Sequence, residues 1–357
     1  MKKKSKLMIT AIAAVIAIGF VVSCDDGNGT TPNPDPCADG HSYSEWVITT
    51  PATCTEDGVE TEECEVCGDL GTETRPITAG HNYEWAVTVD ATKTVSSLVE
   101  TCTVCGDTKG SPKTHIDSIA LLQTVLSGLD ANTADEPYTI LLNVDSLGGD
   151  AGSVGDTLGN NNTKFVNLDL SGSAITSIEE FAFLQCVNLT GIIIPDNVTS
   201  IGLAAFGGCF GLTSITIPDN VISIEESAFT ECTGITSITI PDSVTEIEYG
   251  AFAGCTNLES VRLPINPAFT IIRERTFWGC ESLTAITIPD SVTEIEDSAF
   301  AGSTLTTVEF KGTAITTQWD DNAFPEGTAL WNAYSAGGIG VYKRTDTTTD
   351  DWALSVE

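Results

Sequence analysis

From about residue 165 the chain sets short apolar pairs between polar turns, and the pattern repeats. Cys186, Cys209, Cys232, Cys255 and Cys280 are separated by 23, 23, 23 and 25 residues. A fixed period of this size predicts a solenoid, each repeat being one coil stacked on the next. Each unit reads C-x-x-L-x-x-I-x-I-P-D-x-V-x-x-I-x-x-x-A-F-x-x-C, as between Cys232 and Cys255, where the apolar set is Ile235, Ile238, Ile240, Val244, Ile247, Ala251 and Phe252. Ile238 and Ile240 alternate with Ser237 and Thr239, the period-two signature of a short strand with isoleucine facing inward. Pro241 ends that strand by withholding a ladder donor. Val244 and Ile247 then pack the returning side, and Ala251-Phe252 closes the turn before the cysteine. No unit buries this face alone, whereas a stack buries about six apolar side chains per coil, each contributing on the order of 1.5 to 3 kcal/mol.

Solenoid ends need covers, because an open coil exposes core and unpaired strand edges. Ile116, Ile119, Leu122, Val125, Leu126 and Leu129 lie at helical spacing, and Tyr138 to Val144 reads as a strand, so residues 116–164 are expected to cover one end. Trp319, Phe324, Leu330, Trp331, Tyr334, Tyr342 and Trp352 crowd the region 311–357, and a hydrophobic lid is expected at the other. The repeat cysteines should point in parallel between coils, which does not suit the near-perpendicular torsion of a disulfide; they read as small buried apolar residues.

Strand positions facing away from the core are Gly191 and Ile193, Ser214 and Thr216, Ser237 and Thr239, Ser260 and Arg262, Ala285 and Thr287, and Thr307 and Glu309. Stacked about 4.8 Å apart they form a flat Ser/Thr surface, either a binding face or plain solvated strand formers. Thr216, Thr239 and Thr287 are its candidate contacts. Arg262 shares its coil with two extra residues between Pro264 and Ile272, and Arg273 and Arg275 follow. Three arginines around one irregular coil are the candidate partner-contacting patch, with local ion pairs to Glu259 or Glu274 as the alternative role. Asp196, Asp219, Asp242 and Asp290 follow the strand-ending prolines and read as solvated turn residues.

The unit closely resembles the BspA-type, or Treponema-type, leucine-rich repeat of bacterial surface proteins, over about half of the chain. Val166-Asn167-Leu168-Asp169-Leu170-Ser171-Gly172-Ser173 looks like a first, slightly longer coil, and Ser303 stands where the next cysteine falls. The resemblance implies a β-rich solenoid: a leucine-rich-repeat array of 23-residue coils over residues 165–310, with N- and C-terminal caps, preceded by a small Cys-rich β stalk. It also implies adhesion, since such proteins are associated with binding host matrix proteins, epithelial cells and other bacteria. That step is fold-level analogy.

Lys2, Lys3, Lys4 and Lys6 precede an uncharged run from Leu7 to Val22, then Ser23, Cys24, Asp25 and Asp26. This is the n-region and h-region of a secretory signal over residues 1–23. The run falls short of the roughly 20 residues that span a bilayer. Val21-Val22-Ser23-Cys24 resembles a bacterial lipobox with Val in place of the usual Leu, which makes Cys24 the candidate lipidation site and residues 24–36 a flexible tether. A secreted, lipid-anchored protein of the cell surface or outer membrane is the expectation.

Residues 37–115 hold two diverged copies of a segment of about forty residues. One carries His41, Tyr43, Trp46, Ala52-Thr53-Cys54-Thr55 and Cys64-x-x-Cys67-Gly68. The other carries His81, Tyr83, Trp85, Ala91-Thr92-Lys93-Thr94 and Cys102-x-x-Cys105-Gly106. C-x-x-C-G is the turn of zinc knuckles, and Cys54, Cys64, Cys67 and His81 are candidate ligands of one zinc ion. In the second copy Lys93 stands where Cys54 stood, leaving Cys102, Cys105 and His115. Outside the cytoplasm Cys37, Cys54, Cys64, Cys67, Cys102 and Cys105 are equally an even set for disulfides.

Fifty acidic against fifteen basic side chains give a net charge of -35, which repels phosphate backbones and argues against a nucleic-acid partner. The three histidines all lie before the repeats, and no phosphate loop, G-x-S-x-G or H-E-x-x-H motif occurs, so no enzyme is expected. The remaining classes are a scaffold that binds a protein ligand and a passive spacer of the cell envelope. For residues 37–115, metal analysis with a chelator and a free-thiol count separates the crosslinks. Bound zinc released by the chelator, or thiols that titrate only after reduction, is expected; six free thiols and no metal would exclude both.

Overall fold

A computed structural model describes residues 43–50, 58–64, 70–77, 83–103, 108–148, 153–312, 322–325, 327–344 and 351–355, for 43–77 as backbone path alone. Two compact units emerge, one of residues up to Val87 with Leu98–Pro112, the other of Thr88–Ser97 with the chain from Lys113. In the first, Tyr43–Thr50, Gly58–Cys64 and Leu70–Ile77 form an antiparallel three-stranded sheet in chain order. A second three-stranded sheet has Val95–Cys102 between Tyr83–Val89 and Thr108–Lys113, and Val95, Leu98 and Cys102 are its buried positions.

The second unit is the solenoid. Val166–Asp169, Leu189–Ile193, Ser214–Ile215, Ser237–Thr239, Ser260–Arg262, Ala285–Ile288 and Thr307–Phe310 are successive strands of one face, paired in parallel where they meet. Pairs such as Gly191↔Ser214 and Ser237↔Ser260 keep the sequence period as strand register. The inward set of the coil from Cys232 is buried as expected: Ile238, Ile240, Val244, Ile247, Ala251, Phe252 and Cys255 are all at most 3 % exposed. The returning side, expected only to pack, is itself a parallel sheet. Ser177–Ile178, Ser200–Ile201, Ser223–Ile224 and Glu246–Ile247 form one ladder, and Ile271–Ile272 with Glu294–Ile295 another. The break between the two ladders falls at the longer, 25-residue coil.

The third side of each coil is a run of turns bonded from coil to coil: Phe183 N donates to Ala205 O at 2.8 Å, Phe206 N to Ala228 O at 2.8 Å and Phe229 N to Ala251 O at 2.7 Å. Two residues per coil adopt the left-handed region. They are Phe181, Ala204, Ser227, Gly250, Arg275 and Ser298, and Gln185, Gly208, Glu231, Gly254, Gly279 and Gly302, with φ between +47° and +78°. For a residue other than glycine this conformation costs roughly 1 to 2 kcal/mol, so the inter-coil bonds must hold it. Inside these turns Phe183, Phe206, Phe229, Phe252, Phe277, Phe300 and Phe324 stack face to face, centroids 4.8 to 5.5 Å apart and planes within 14°. Phe324, grouped by sequence with the aromatic lid, is thus a ring of the core stack.

The repeat cysteines are buried, as expected, but they are also donors. Cys209 Sγ donates to Phe183 O at 3.0 Å, Cys232 to Phe206 O at 3.0 Å, Cys255 to Phe229 O at 3.1 Å and Cys280 to Phe252 O at 3.3 Å. Each phenylalanine carbonyl already accepts the N–H of its own coil's cysteine, so the next coil's thiol fills its second lone pair. Cys186 has no earlier coil and donates to Gly155 O at 3.3 Å. Gly155 is there because a Cβ would stand 2.2 Å from Ala182 O.

Before the first coil, α1 (Ile119–Gly128) starts at Ser118, whose Oγ accepts Leu121 N at 3.3 Å, and buries Leu121, Leu122, Val125 and Leu126. Tyr138–Leu141 pairs in parallel with Val166–Asp169 and so extends the first sheet. Its far edge meets the turn 90–94: Thr139 N donates to Lys93 O at 3.0 Å, Thr94 bridges Thr139, and Lys93 Nζ lies 5.5 Å over the Tyr138 ring and 3.9 Å from Glu136. Lys93, the residue aligned with Cys54, is therefore a packing residue on a sheet edge. α2 (Val154–Gly159) covers the first coil, where buried Asn188 Nδ2 donates to Leu158 O and Lys164 O. After the last coil come α3 (Gly327–Gly337) and Gly340–Lys343, which pairs antiparallel with Thr307–Phe310. Phe310 packs on Tyr334 and Tyr342, and Arg344 lies over Trp352 while its Nε donates to Leu305 O. Trp319 lies outside the described residues.

Two outcomes follow from the thiols. Burial pushes Cys186 and Cys255 from 9.0 up to about 12, and raises Cys209, Cys232 and Cys280 as well. Below pH 9 the folded and unfolded thiols both keep their protons; above it only the unfolded chain releases them. Stability should then fall with rising pH by about 1.4 kcal/mol per unit for each thiol, until the folded thiols ionise. Urea unfolding followed by circular dichroism from pH 7 to 10.5 should show the decline, with a shallower slope in Cys232→Ala; identical slopes would contradict it. Ser303 is buried and its hydroxyl has no hydrogen-bond partner, the shorter C–O bond leaving it off the ladder. Ser303→Cys should raise stability by about 1 kcal/mol, read as a higher urea midpoint; a lower midpoint would show that the site does not continue the ladder.

Candidate binding surface

The outer face of the first sheet is built by alternation. In the strand Ser237–Thr239, Ile238 points inward and Ser237 and Thr239 are exposed; Ser214 and Thr216, Ser260 and Arg262, and Ala285 and Thr287 are exposed likewise. Thr216, Thr239 and Thr287 thus stand in solvent on three coils of one surface. Ile193 at its start is 55 % exposed, and Thr307 and Glu309 at its end are half-buried. Thr287 Oγ1 donates to Glu309 Oε2 at 3.1 Å, and Glu309 also takes Lys311, whose ammonium holds that carboxyl below its usual range.

The three arginines fall on different sides of the coil, Arg262 in the first sheet, Arg273 just past a second-sheet strand and Arg275 in the turns that follow. Arg262 is on the first, where Nη2 donates to both oxygens of Asp242 at 2.9 Å and Nη1 to Ile240 O at 3.1 Å. Asp242 also accepts Ile265 N at 2.8 Å, and Arg262 followed by that N–H lowers its pKa. Arg262 therefore pairs across coils with Asp242, not with Glu259, and Asp242 binds the next coil. Arg273 follows the second-sheet strand Ile271–Ile272 and lies between Glu248 at 3.6 Å and Glu296 at 3.5 Å. Arg275 pairs with Glu274 at 3.6 Å, stacks on Tyr249 at 5.7 Å and hydrogen-bonds its hydroxyl. Beside it Trp278 is 49 % exposed. Sequence reading passed over Tyr249 and Trp278; aligning the repeats reveals them as aromatics at positions held by small or polar residues in neighbouring coils. Asp196, Asp219 and Asp290 are exposed at the turns.

Cys24, Cys54, Cys67, His81 and Cys105 lie outside the described residues, and Cys64 is described only as the backbone end of its strand. Cys102 is buried at the end of Val95–Cys102 and His115 is half-buried. Among the described residues no helix is long and apolar enough to cross a membrane.

A register of parallel strands, returned every 23 residues and closed by turns, defines a leucine-rich-repeat solenoid. The family pattern of the BspA type leucine rich repeat region matches in six copies over residues 159–267 and 199–331. The repeat region belongs to that family. Similar solved structures include a leucine-rich repeat protein from Bacteroides ovatus, 25 % identical over 69 % of this chain and 55 % of that one, TM-score 0.42. The T. pallidum leucine rich repeat protein is 26 % identical over 48 % of this chain and 74 % of its own, TM-score 0.37. A leucine rich cell surface protein from Faecalibacterium prausnitzii is 18 % identical over 63 % and 95 %, TM-score 0.27. The chain spans little more than half the length of the Bacteroides ovatus protein. No curated protein matches.

Proposed function

We propose that the chain is an exported, lipid-anchored surface protein that displays its solenoid as a scaffold for a protein ligand, on host matrix, host cells or other bacteria. The observation that carries this reading is the outer face of the first sheet, exposed hydroxyls on successive coils held by a backbone bonded from coil to coil. A surface fixed in this way loses little conformational freedom on binding. Membership of the repeat region in the BspA-type family supports a scaffold role, and the lipobox-like Val21 to Cys24 supports the anchor at Cys24. Arg262, Arg273 and Arg275 are suited to partner carboxylates, because exposed ion pairs are worth only about 0 to 1 kcal/mol and exchange partners at small cost. Zinc or disulfides among Cys54, Cys64, Cys67, His81, Cys102 and Cys105 would stiffen the segment between anchor and solenoid.

The purified chain should bind immobilised fibronectin, fibrinogen or bacterial cells saturably. Reversing the charge at Arg262, Arg273 and Arg275 together should slow association and weaken binding about tenfold. Protease treatment of intact cells should release repeat peptides. No saturable binding to any of these would leave the spacer role instead, and full protection from protease would place the solenoid inside the envelope.

A further inference from the structure

The turn side of the solenoid carries an apolar patch on two successive turns, 180–187 and 203–210. Phe181, Leu184 and Val187 on the first and Phe210 on the second are 37 to 49 % exposed, four of the ten large apolar side chains identified as exposed among the described residues. Half-buried Leu203, whose carbonyl takes the Phe181 N–H at 2.9 Å, adjoins them. Leu184 lies against the second turn, its Cδ1 only 3.0 Å from where a Cβ on Gly207 would stand. The bare glycine thus lets the patch run unbroken from one turn to the next.

The fold does not require these apolar groups. At the position of Phe181 later turns carry Ala204, Ser227, Gly250, Arg275 and Ser298, and after Phe210 the position of Val187 passes to Thr233, Thr256, Glu281 and Thr304. Phe181 moreover holds φ at +58°, a conformation that bulky side chains disfavour. A contiguous apolar surface with a polar rim marks an interaction site on a soluble protein.

Two features point to one kind of occupant. Between Lys164 and Arg262 the chain has twelve Asp and Glu residues and no Lys, Arg or His. Glu180 immediately precedes Phe181, Glu226 and Glu231 lie in the turn after Phe210, and all three are exposed and form no ion pair among the described residues. Such a rim attracts cations, and it repels both an anionic membrane and a second copy of this chain bearing the same carboxylates. The turn backbone, in addition, has its donors engaged: Phe181, Phe183 and Gln185, then Ala204, Phe206 and Gly208, each donate N–H to a carbonyl of the following turn. An added strand would find no open ladder here, whereas a helix brings its own backbone bonds and docks through side chains alone.

We infer that this turn surface docks a basic amphipathic helix of a partner protein, its apolar stripe over Phe181, Leu184, Val187 and Phe210 and its flanking Lys or Arg side chains meeting Glu180, Glu226 and Glu231. The site is separate from the sheet face proposed above and does not depend on it.

The test is fluorescence anisotropy of the purified full chain with a dye-labelled helical peptide of about 18 residues, Leu at i, i+3, i+4 and i+7 spacing on one face and Lys over the rest. It should saturate with a Kd below about 1 mM. A version with Glu for every Lys, and one of unchanged composition with the stripe scrambled, should each bind at least about tenfold more weakly. Leu184→Ser and Phe210→Ser should each weaken the striped peptide about fivefold with unchanged circular dichroism. Ile222→Ser, at a similarly exposed side chain beside the returning strand Ser223–Ile224, should leave it unaltered. Absence of saturation, equal binding of the scrambled peptide, or indifference to both Leu184→Ser and Phe210→Ser overturns the inference. A dimer in sedimentation velocity that Leu184→Ser dissolves overturns it too, giving the patch to a second copy. Matrix-protein binding that survives both substitutions is expected of the sheet face, so either reading can fail while the other stands.

Discussion

The coil from Cys232 to Cys255 closes over no core of its own, so its apolar face is buried only because another coil lies against it. Every other feature of the solenoid follows from that dependence. The seven phenylalanines are stacked at one ring per coil, and each ring is covered by its neighbours. From Cys209 on, each repeat thiol reaches the carbonyl of the coil before it, and the phenylalanine N–H groups of the turns reach carbonyls of the coil after them. Apolar burial and polar satisfaction therefore use the same inter-coil spacing. A substitution that shifts one coil disturbs both.

Stacking also explains how the ends and the irregular coil behave. The first cysteine needs an acceptor that no earlier coil supplies, and α2 offers Gly155 O in its place. The edge of the strand Tyr138–Leu141 is met by the backbone of Lys93, at the position that carries a cysteine in the first copy of the Cys-rich repeat. Two added residues after Arg262 interrupt the second sheet, yet the phenylalanine stack continues across the interruption, with Phe252 and Phe277 5.5 Å apart. The insertion is absorbed at the surface, where it leaves Ile265 exposed. Variation at the rim with constancy in the core is how one scaffold comes to present a particular face.

Charge is also organised by the stacking of coils. The chain is strongly acidic, and its few solenoid cations are held by carboxylates: Arg262 by Asp242 and Arg273 by Glu248 and Glu296 of adjacent coils, Lys311 by Glu309 of its own coil. Such exposed pairs add little stability. They hold the cations at the surface of an otherwise acidic solenoid.

The period of 23, the inward faces of Ile238 and Ile240, the burial of the cysteines and the outward rows at Thr216, Thr239 and Thr287 were legible in the sequence, because alternation and repetition report which side of a coil each residue takes. What a single coil's pattern does not contain is what the neighbouring coil does to it. The left-handed turns at Phe181, Ala204, Ser227 and Arg275 oppose local preference and exist through bonds to the next coil. The second sheet, the thiol–carbonyl ladder and the pairing of Arg262 with Asp242 are likewise relations between residues some twenty positions apart. The sequence by itself determined that the chain winds and which residues face inward, since those follow from local periodicity. Only the stacked structure decided which groups meet, since contact between coils depends on rise and register, which no single repeat encodes.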